Sequence, residues 1–127
     1  TMPTDSLTQF RDSMKETIEM GLEEARQRQL ELGGAVRNML VEYGYPSVAE
    51  DGYQSPSVVV SYTEDAEIKS GSKFAKAGVQ VAGGVPLMCG EGDVFSTFRI
   101  GLFGIDKWRN IQGTCSRLKE ALDCIAN

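Results

Sequence analysis

The sequence predicts an α+β domain in which a short sheet is covered by helices, most simply on one face. The run from Leu7 to Tyr43 spaces its apolar residues by three and four, which is helical periodicity. Short apolar or β-branched runs at 57–62, 79–82 and 96–100 are typical of strands. A second amphipathic stripe covers 108–125. Because each element must bury its apolar face against another, we expect a small two-layer sandwich preceded by a long helix.

The composition limits the class of function. The chain has 127 residues, is 41% hydrophobic and carries a net charge of −5. It is long enough for one core, and its acidic balance argues against general nucleic-acid binding. No apolar run reaches the ~20 residues of a membrane span, so no membrane partner is expected. The three cysteines form no CxxC pair. They fit reduced thiols, and the expected compartment is cytoplasmic.

The chain has no histidine. It therefore cannot build a Ser-His-Asp or Cys-His nucleophile by itself, and no catalytic residue is assigned to it. Without histidine or CxxC, a zinc site is not expected. Glu91 and Asp93 lie on a glycine-rich stretch, but their spacing lacks the pattern of a calcium loop, so no metal ligand is assigned.

The first helix is predicted to be about three times the ~11–12-residue mean. Thr4 or Asp5 is a candidate cap at its start. Gly21 and Gly33-Gly34 are positions where it could bend, and Gly44-Tyr45-Pro46 ends it. So long a helix usually bridges two bodies or lies along a partner. We therefore divide the chain into a lead-in and interdomain helix, 1–44, and a small domain, 45–127.

The remaining elements follow in the order strand, helix, strand, strand, helix. The strand at 57–62 is expected to be buried on both faces because it is β-branched. Gly83-Gly84 is interpreted as a turn, with a close backbone approach to a ligand as the alternative. Asp106 is the expected cap of the last helix. The stripe of that helix should pack on the sheet and comprises Trp108, Ile111, Cys115, Leu118, Leu122 and Ile125.

An arginine interrupts the apolar strand within Phe98–Gly104. Side chains alternate along a strand, so Phe98 and Ile100 point to one face and Arg99 to the other. The forked guanidinium of Arg99 suits a carboxylate or phosphate. The alternative is an ordinary arginine that is solvated or paired with a nearby acid. The residues alone leave both interpretations open.

The same segment resembles the C-terminal region of class V, fold-type I aminotransferases that use pyridoxal phosphate. The resemblance is strongest to the alanine–glyoxylate and serine–glyoxylate group. It extends over nearly the whole chain and rests on Thr1-Met2-Pro3, Phe10–Met14, Gly83-Gly84, Arg99-Ile100-Gly101, Gly104, Asp106 and Glu120-Ala121-Leu122.

This resemblance implies specific roles. Arg99 would bind the α-carboxylate of a small amino-acid or keto-acid substrate, with glyoxylate or pyruvate as acceptor. Thr1 would supply a hydroxyl to the pyridoxal-phosphate group of the neighbouring subunit in a homodimer, and a frayed terminus is its alternative. The family's large N-terminal domain, with its Schiff-base lysine, has no counterpart here, and no lysine of this chain matches that motif. We therefore expect a small-domain fragment that is catalytically silent alone.

The resemblance has departures and rivals. The last helix is about one turn longer than the family pattern. A related lyase or desulfurase would keep the fold, with Cys89 as the feature that favours it. A stand-alone module that senses a small carboxylate through Arg99 is the alternative from another class of protein.

Overall fold

A three-stranded antiparallel sheet and the helices packed on it make up the fold, described by a computed structural model of residues 1–127. This confirms the predicted α+β class. The elements are α1 (Thr4–Met20), α2 (Leu22–Glu42), β1 (Val58–Tyr62), α3 (Ala66–Lys69), α4 (Ser72–Lys76), β2 (Ala82–Gly83), β3 (Thr97–Gly101), α5 (Ile105–Arg109) and α6 (Ile111–Ala126). No helix is long and apolar enough to cross a membrane.

The sheet has the order β1-β3-β2, so β3 lies in the middle. Its register places Arg99 opposite Val60 on one side and opposite Ala82 on the other. The expectation that β1 is buried on both faces is wrong. Val59 is fully buried, but Val60 is half-buried and Tyr62 is 40% exposed. Helices cover one face of the sheet, and the other face is more open.

The core forms beneath the covered face from eleven buried residues of this one chain. They are Leu32, Val36, Leu40, Val59, Ile68, Phe74, Phe98, Ile100, Leu102, Leu118 and Leu122. The other apolar side chains of the predicted C-terminal stripe pack against this cluster, which confirms the stripe. Cys124, in the same helix, is exposed.

The long first helix is divided in two at Gly21. That residue has φ +94°, a conformation that side-chain-bearing residues rarely adopt, so α1 ends there and α2 begins anew. At Gly33-Gly34, the other position where a bend was expected, α2 continues without interruption. The predicted cap at Thr4 or Asp5 is wrong, since the helix starts after Pro3 with no side-chain cap.

The last helix is also divided, and its cap differs from the prediction. Asp106 lies inside α5. The cap of α6 is Asn110, whose Oδ1 accepts a hydrogen bond of 2.8 Å from the backbone N–H of Gly113. Asn is as good a cap as Asp, and the break after α5 moves the helix start four residues onward.

One face of α2 holds the segment that leads into β1 by hydrogen bonds and a close backbone contact, called here the α2 grip. Gln29 Nε2 donates to the carbonyl of Pro56 at 2.8 Å, and Arg37 donates to the carbonyl of Ser55 at 2.7 Å. Gly33 lies between them, one turn from each. A Cβ there would be 2.5 Å from the Pro56 carbonyl oxygen, so only glycine lets the two backbones approach this closely.

Arg37 is a buried cation that no carboxylate pairs. It is 7% exposed, and its second hydrogen bond goes to Ser47 Oγ at 2.8 Å. Burial lowers the pKa of its guanidinium. On the same helix, Gln29 Oε1 accepts from Trp108 Nε1 at 2.8 Å, which joins α5 to this grip.

Helix α1 buries none of its residues. Leu7, Phe10, Met14 and Ile18 share one face at helical spacing and are between 48% and 64% exposed. An ion pair between Glu16 and Arg109 at 3.5 Å connects α1 with α5. The apolar side of α1, called here the α1 stripe, is left without a partner.

Two adjacent glycines provide a matched test of the α2 grip. Gly33→Ala should destabilise the domain by about 1–3 kcal/mol, because the new methyl group collides with the Pro56 backbone. Gly34→Ala should stabilise it by about 1 kcal/mol, because position 34 is an exposed helix interior with nothing within 4 Å. Urea denaturation measures both. Equal changes in the free energy of unfolding for the two substitutions would show that the close approach at Gly33 does not contribute to stability.

Candidate anion-binding site

Arg99 stands on the open face of the middle strand. Its side chain is half-buried, and its strand neighbours on the same face are Val60 and Ala82. Its Nε–H donates to the carbonyl oxygen of Gly83 at 3.0 Å. No aspartate or glutamate forms an ion pair with it, and its two Nη groups make no hydrogen bond to the protein. The guanidinium is therefore oriented at one end and free at the other.

Gly83-Gly84 supports this orientation. Gly83 ends β2 and provides the acceptor for Arg99, while the backbone N–H of Gly84 donates to the carbonyl of Lys69 at 3.3 Å. A Cβ on Gly84 would overlap the carbonyl oxygen of Thr97 in β3. The preferred interpretation of this pair as a turn is therefore wrong. Its glycines allow a close approach between two backbones of the protein and fix the carbonyl that faces Arg99.

The loop after β2 is closed by Glu91. Its carboxylate accepts from the backbone N–H groups of Leu87, Met88 and Cys89, the last two at 2.9 Å. These hydrogen bonds favour the charged form and lower the pKa of Glu91 to about 2. The carboxylate of Glu91, considered above as a calcium ligand, is thus already hydrogen-bonded to the backbone of its own loop. No group of three or more candidate metal ligands occurs in the chain.

The same carboxylate affects Cys89. The thiol of Cys89 donates to Glu91 at 3.4 Å, and this hydrogen bond raises the pKa of the thiol. A nucleophilic cysteine needs the opposite shift, because the thiolate is the reactive form. The geometry therefore weighs against a desulfurase role for Cys89.

A depression of about 460 Å³ lies between this loop and β3. Its lining includes Lys69, Glu91, Asp93 and Thr97. Thr97 lies two residues before Arg99 on the same face of β3, but Arg99 does not line the depression. With both signs of charge in its lining, the depression has no clear preference for an anion. Arg99 remains the group best suited to one.

No family model and no curated protein sequence matches the chain. Solved structures do match. An alanine–glyoxylate aminotransferase from Nostoc sp. aligns with 92% of this chain at 19% identity and a TM-score of 0.73, over 30% of its own length. The chain has the fold of part of an aminotransferase.

Two further structures agree. A ureidoglycine–glyoxylate aminotransferase from Bacillus subtilis aligns with 92% of this chain at 19% identity and a TM-score of 0.61. An aspartate aminotransferase of subgroup IV from Thermus thermophilus aligns with 76% at 20% identity and a TM-score of 0.53. The chain spans only 34% and 26% of these two structures. At such low identity the likeness concerns the fold, which agrees with the family resemblance seen in the sequence.

The other predicted site residue, Thr1, lies 98 residues before Arg99 in the chain and makes no hydrogen bond with it. It is exposed, precedes α1, and its side chain makes no hydrogen bond. The structure therefore does not bring Thr1 and Arg99 into one site within this chain.

Sequence reasoning missed two groups around the site. The carbonyl of Gly83 orients Arg99 across 16 residues of chain, and no local pattern shows that contact. The role of Glu91 had a weak signal, a carboxylate two to four residues after three consecutive amides in a glycine-rich loop.

The closure of the loop by Glu91 predicts a specific pH dependence. The pKa of Glu91 is lowered on folding, so its contribution is complete above its ordinary pKa of 4.5 and is lost as pH falls towards about 2. The amide chemical shifts of Leu87, Met88 and Cys89 should titrate with a midpoint of about 2.

Asp93→Asn, a charge change in the same loop, should leave that midpoint in place, whereas Glu91→Gln should abolish the titration. A midpoint near 4.5 would show that the carboxylate is free in solution.

Proposed function

We propose that this chain is the small domain of a class V, pyridoxal-phosphate-dependent aminotransferase, in which Arg99 binds the α-carboxylate of the substrate. The free guanidinium of Arg99 on the open face of the middle strand carries the proposal. The fold shared with parts of three aminotransferases supports it. The proposed substrates are a small amino acid and glyoxylate or pyruvate, as the family resemblance implies.

The orientation of Arg99 determines how it would bind a carboxylate. Because Nε–H is already bonded to Gly83, the two Nη groups remain, and a carboxylate binds end-on across them. The hydrogen bond to Gly83 also restricts the side chain before the ligand arrives. Less conformational entropy is then lost on binding, and the reacting end of the substrate is held in one direction.

The fit of the chain to the cofactor is limited to one contact. Four of its lysines, Lys73, Lys76, Lys107 and Lys119, are in ion pairs with carboxylates. We assign the lysine that holds the cofactor, and with it the catalytic residues, to a large N-terminal domain in the same polypeptide. Thr1, with its free and exposed hydroxyl, is the residue of this chain proposed to reach the cofactor phosphate, in the partner subunit of a homodimer. When bound, pyridoxal phosphate supplies the electron sink for transamination.

The α1 stripe supports the existence of that large domain. Leu7, Phe10, Met14 and Ile18 are about half exposed in this chain, so burying the rest of each side chain would contribute about 1 kcal/mol of stability. In this proposal 1–44 connects the domains, with α2 packed into the core of the small domain, and 45–127 forms the rest of the small domain that closes over the substrate. Free cysteines are consistent with a cytoplasmic location.

A carboxylate sensor is the second candidate function. It is favoured by the fact that Arg99 and its orienting carbonyl both belong to this chain. The unpartnered α1 stripe weighs against it, since a complete module would bury those side chains.

Substitution of Arg99 in the full-length protein tests the proposed function. Arg99→Ala should raise KM for both the amino acid and the keto acid by roughly 10- to 100-fold, because charge-assisted hydrogen bonds to the carboxylate are lost. The KM of Arg99→Lys should lie between those of the parent and Arg99→Ala, since lysine keeps the charge but lacks the forked guanidinium.

The control is Arg117→Ala, which removes an exposed arginine of α6 that forms no ion pair. It should leave KM unchanged. If Arg99→Ala behaves like Arg117→Ala, Arg99 does not bind substrate.

A further inference from the structure

We propose that Arg37 and the depression beside it bind a small monocarboxylate, at a site separate from Arg99. The inference goes beyond the proposed function and does not depend on it. Arg37 belongs to α2, which packs on the covered face of the sheet, whereas Arg99 stands on the open face. The depression at Arg37 shares no lining residue with the one beside β3.

The charge of Arg37 is buried and the chain does not neutralise it. The residue is 7% exposed, and no ion pair of the chain includes it. Its hydrogen bonds to Ser47 and Ser55 go to neutral oxygens. Buried charges in proteins are normally paired, because an isolated one loses its hydration without compensation. An anion beside Arg37 would supply the missing opposite charge.

The guanidinium of Arg37 also retains unused donors. A guanidinium carries five N–H groups, and the chain accepts one from each Nη and none from Nε. Ser61 Oγ is the one fully buried side-chain polar atom without a partner, so the Nε of Arg37 is reached by solvent. Nε–H and the remaining Nη donors are therefore open to a ligand with two acceptor oxygens.

A depression of about 230 Å³ adjoins these donors. Gly33 and Gly34 of α2 line it on one side, and residues 54–56 line it on the other. Because residue 34 has no side chain, nothing lies within 4 Å of the position that its Cβ would take. The open space therefore lies next to the buried charge.

The lining of the depression restricts the ligand to a singly charged acid. Asp51 is its one acidic residue and accepts a hydrogen bond of 2.8 Å from Gln54 Nε2. A dianion such as phosphate would be repelled by Asp51, whereas a monocarboxylate needs only the one cation. Leu30, which is 43% exposed and also lines the depression, offers an apolar contact for a short alkyl group.

The test is an acetate titration of the Arg99→Ala variant of the 127-residue chain, whose core closes within itself. In this variant, binding at Arg99 cannot contribute. The amide resonances of Gly34, Asn38 and Gln54 report on the depression, because all three residues line it. We expect saturable shifts with a Kd on the order of 10 mM, the affinity that one or two charge-assisted hydrogen bonds give. Chloride at equal ionic strength should not produce them, and phosphate should bind more weakly than acetate.

Two substitutions at Gly34 form a matched pair in the same background. Leucine and alanine have similar helix propensities, so both should affect the helix alike. Leucine fills the open space beside Arg37, and alanine leaves most of it. Gly34→Leu should abolish the acetate shifts of Asn38 and Gln54, and Gly34→Ala should retain them.

A charge substitution tests the electrostatic part of the inference. Asn38→Asp adds a negative charge to the lining without a change of shape and leaves both hydrogen bonds of Arg37 in place. It should weaken acetate binding by about three- to tenfold. Gln112→Glu, an equal change of charge on exposed α6, should leave the affinity unchanged. Arg37→Gln should abolish binding, and the variants at 34 and 38 decide the matter if it does not fold.

Several results would overturn the site. They are the absence of saturable shifts, equal shifts with chloride, or an acetate response that survives unchanged in both Gly34→Leu and Asn38→Asp. Tighter binding of phosphate than of acetate would overturn the monocarboxylate assignment. None of these results tests the role of Arg99, which the KM of Arg99→Ala measures separately in the full-length protein.

Discussion

Alternation of side chains along β3 is the constraint on which the candidate site depends. Phe98 and Ile100 are buried beneath the helices, so Arg99 between them must face the open side of the sheet. A slip of one residue would drive the guanidinium into the core, where an unpaired charge is very costly. The strand pairing that buries Phe98 and Ile100 therefore directs Arg99 to the open face, and Gly83 of β2 supplies the carbonyl that orients it.

The two halves of the N-terminal helical run differ in what they bury. Helix α2 carries Leu32, Val36 and Leu40 into the core and grips the segment before β1. Helix α1, separated at Gly21, buries nothing. Its apolar residues Leu7, Phe10, Met14 and Ile18 stay largely exposed, so its apolar side has no partner within this chain. The proposed large domain would provide that partner.

Local sequence patterns predicted the features that depend on neighbouring residues in the chain. The two-residue period of a strand predicted which face of the sheet Arg99 lies on. Spacings of three and four predicted the apolar stripe of α6. The failures concern contacts between distant segments. The one-sided burial of β1, the close approach of Gly84 to Thr97 and the orientation of Arg99 by Gly83 depend on which strands become neighbours. The cap at Asn110 was missed because the break between α5 and α6 has no strong signal in the sequence.

We propose that this domain works within a larger pyridoxal-phosphate enzyme. The most direct measurement is the intact mass of the protein purified from its source, captured with an antibody to this domain and reduced with borohydride. We expect a chain much heavier than 13.9 kDa that carries one reduced pyridoxyl group. A chain of 13.9 kDa with nothing attached would contradict it.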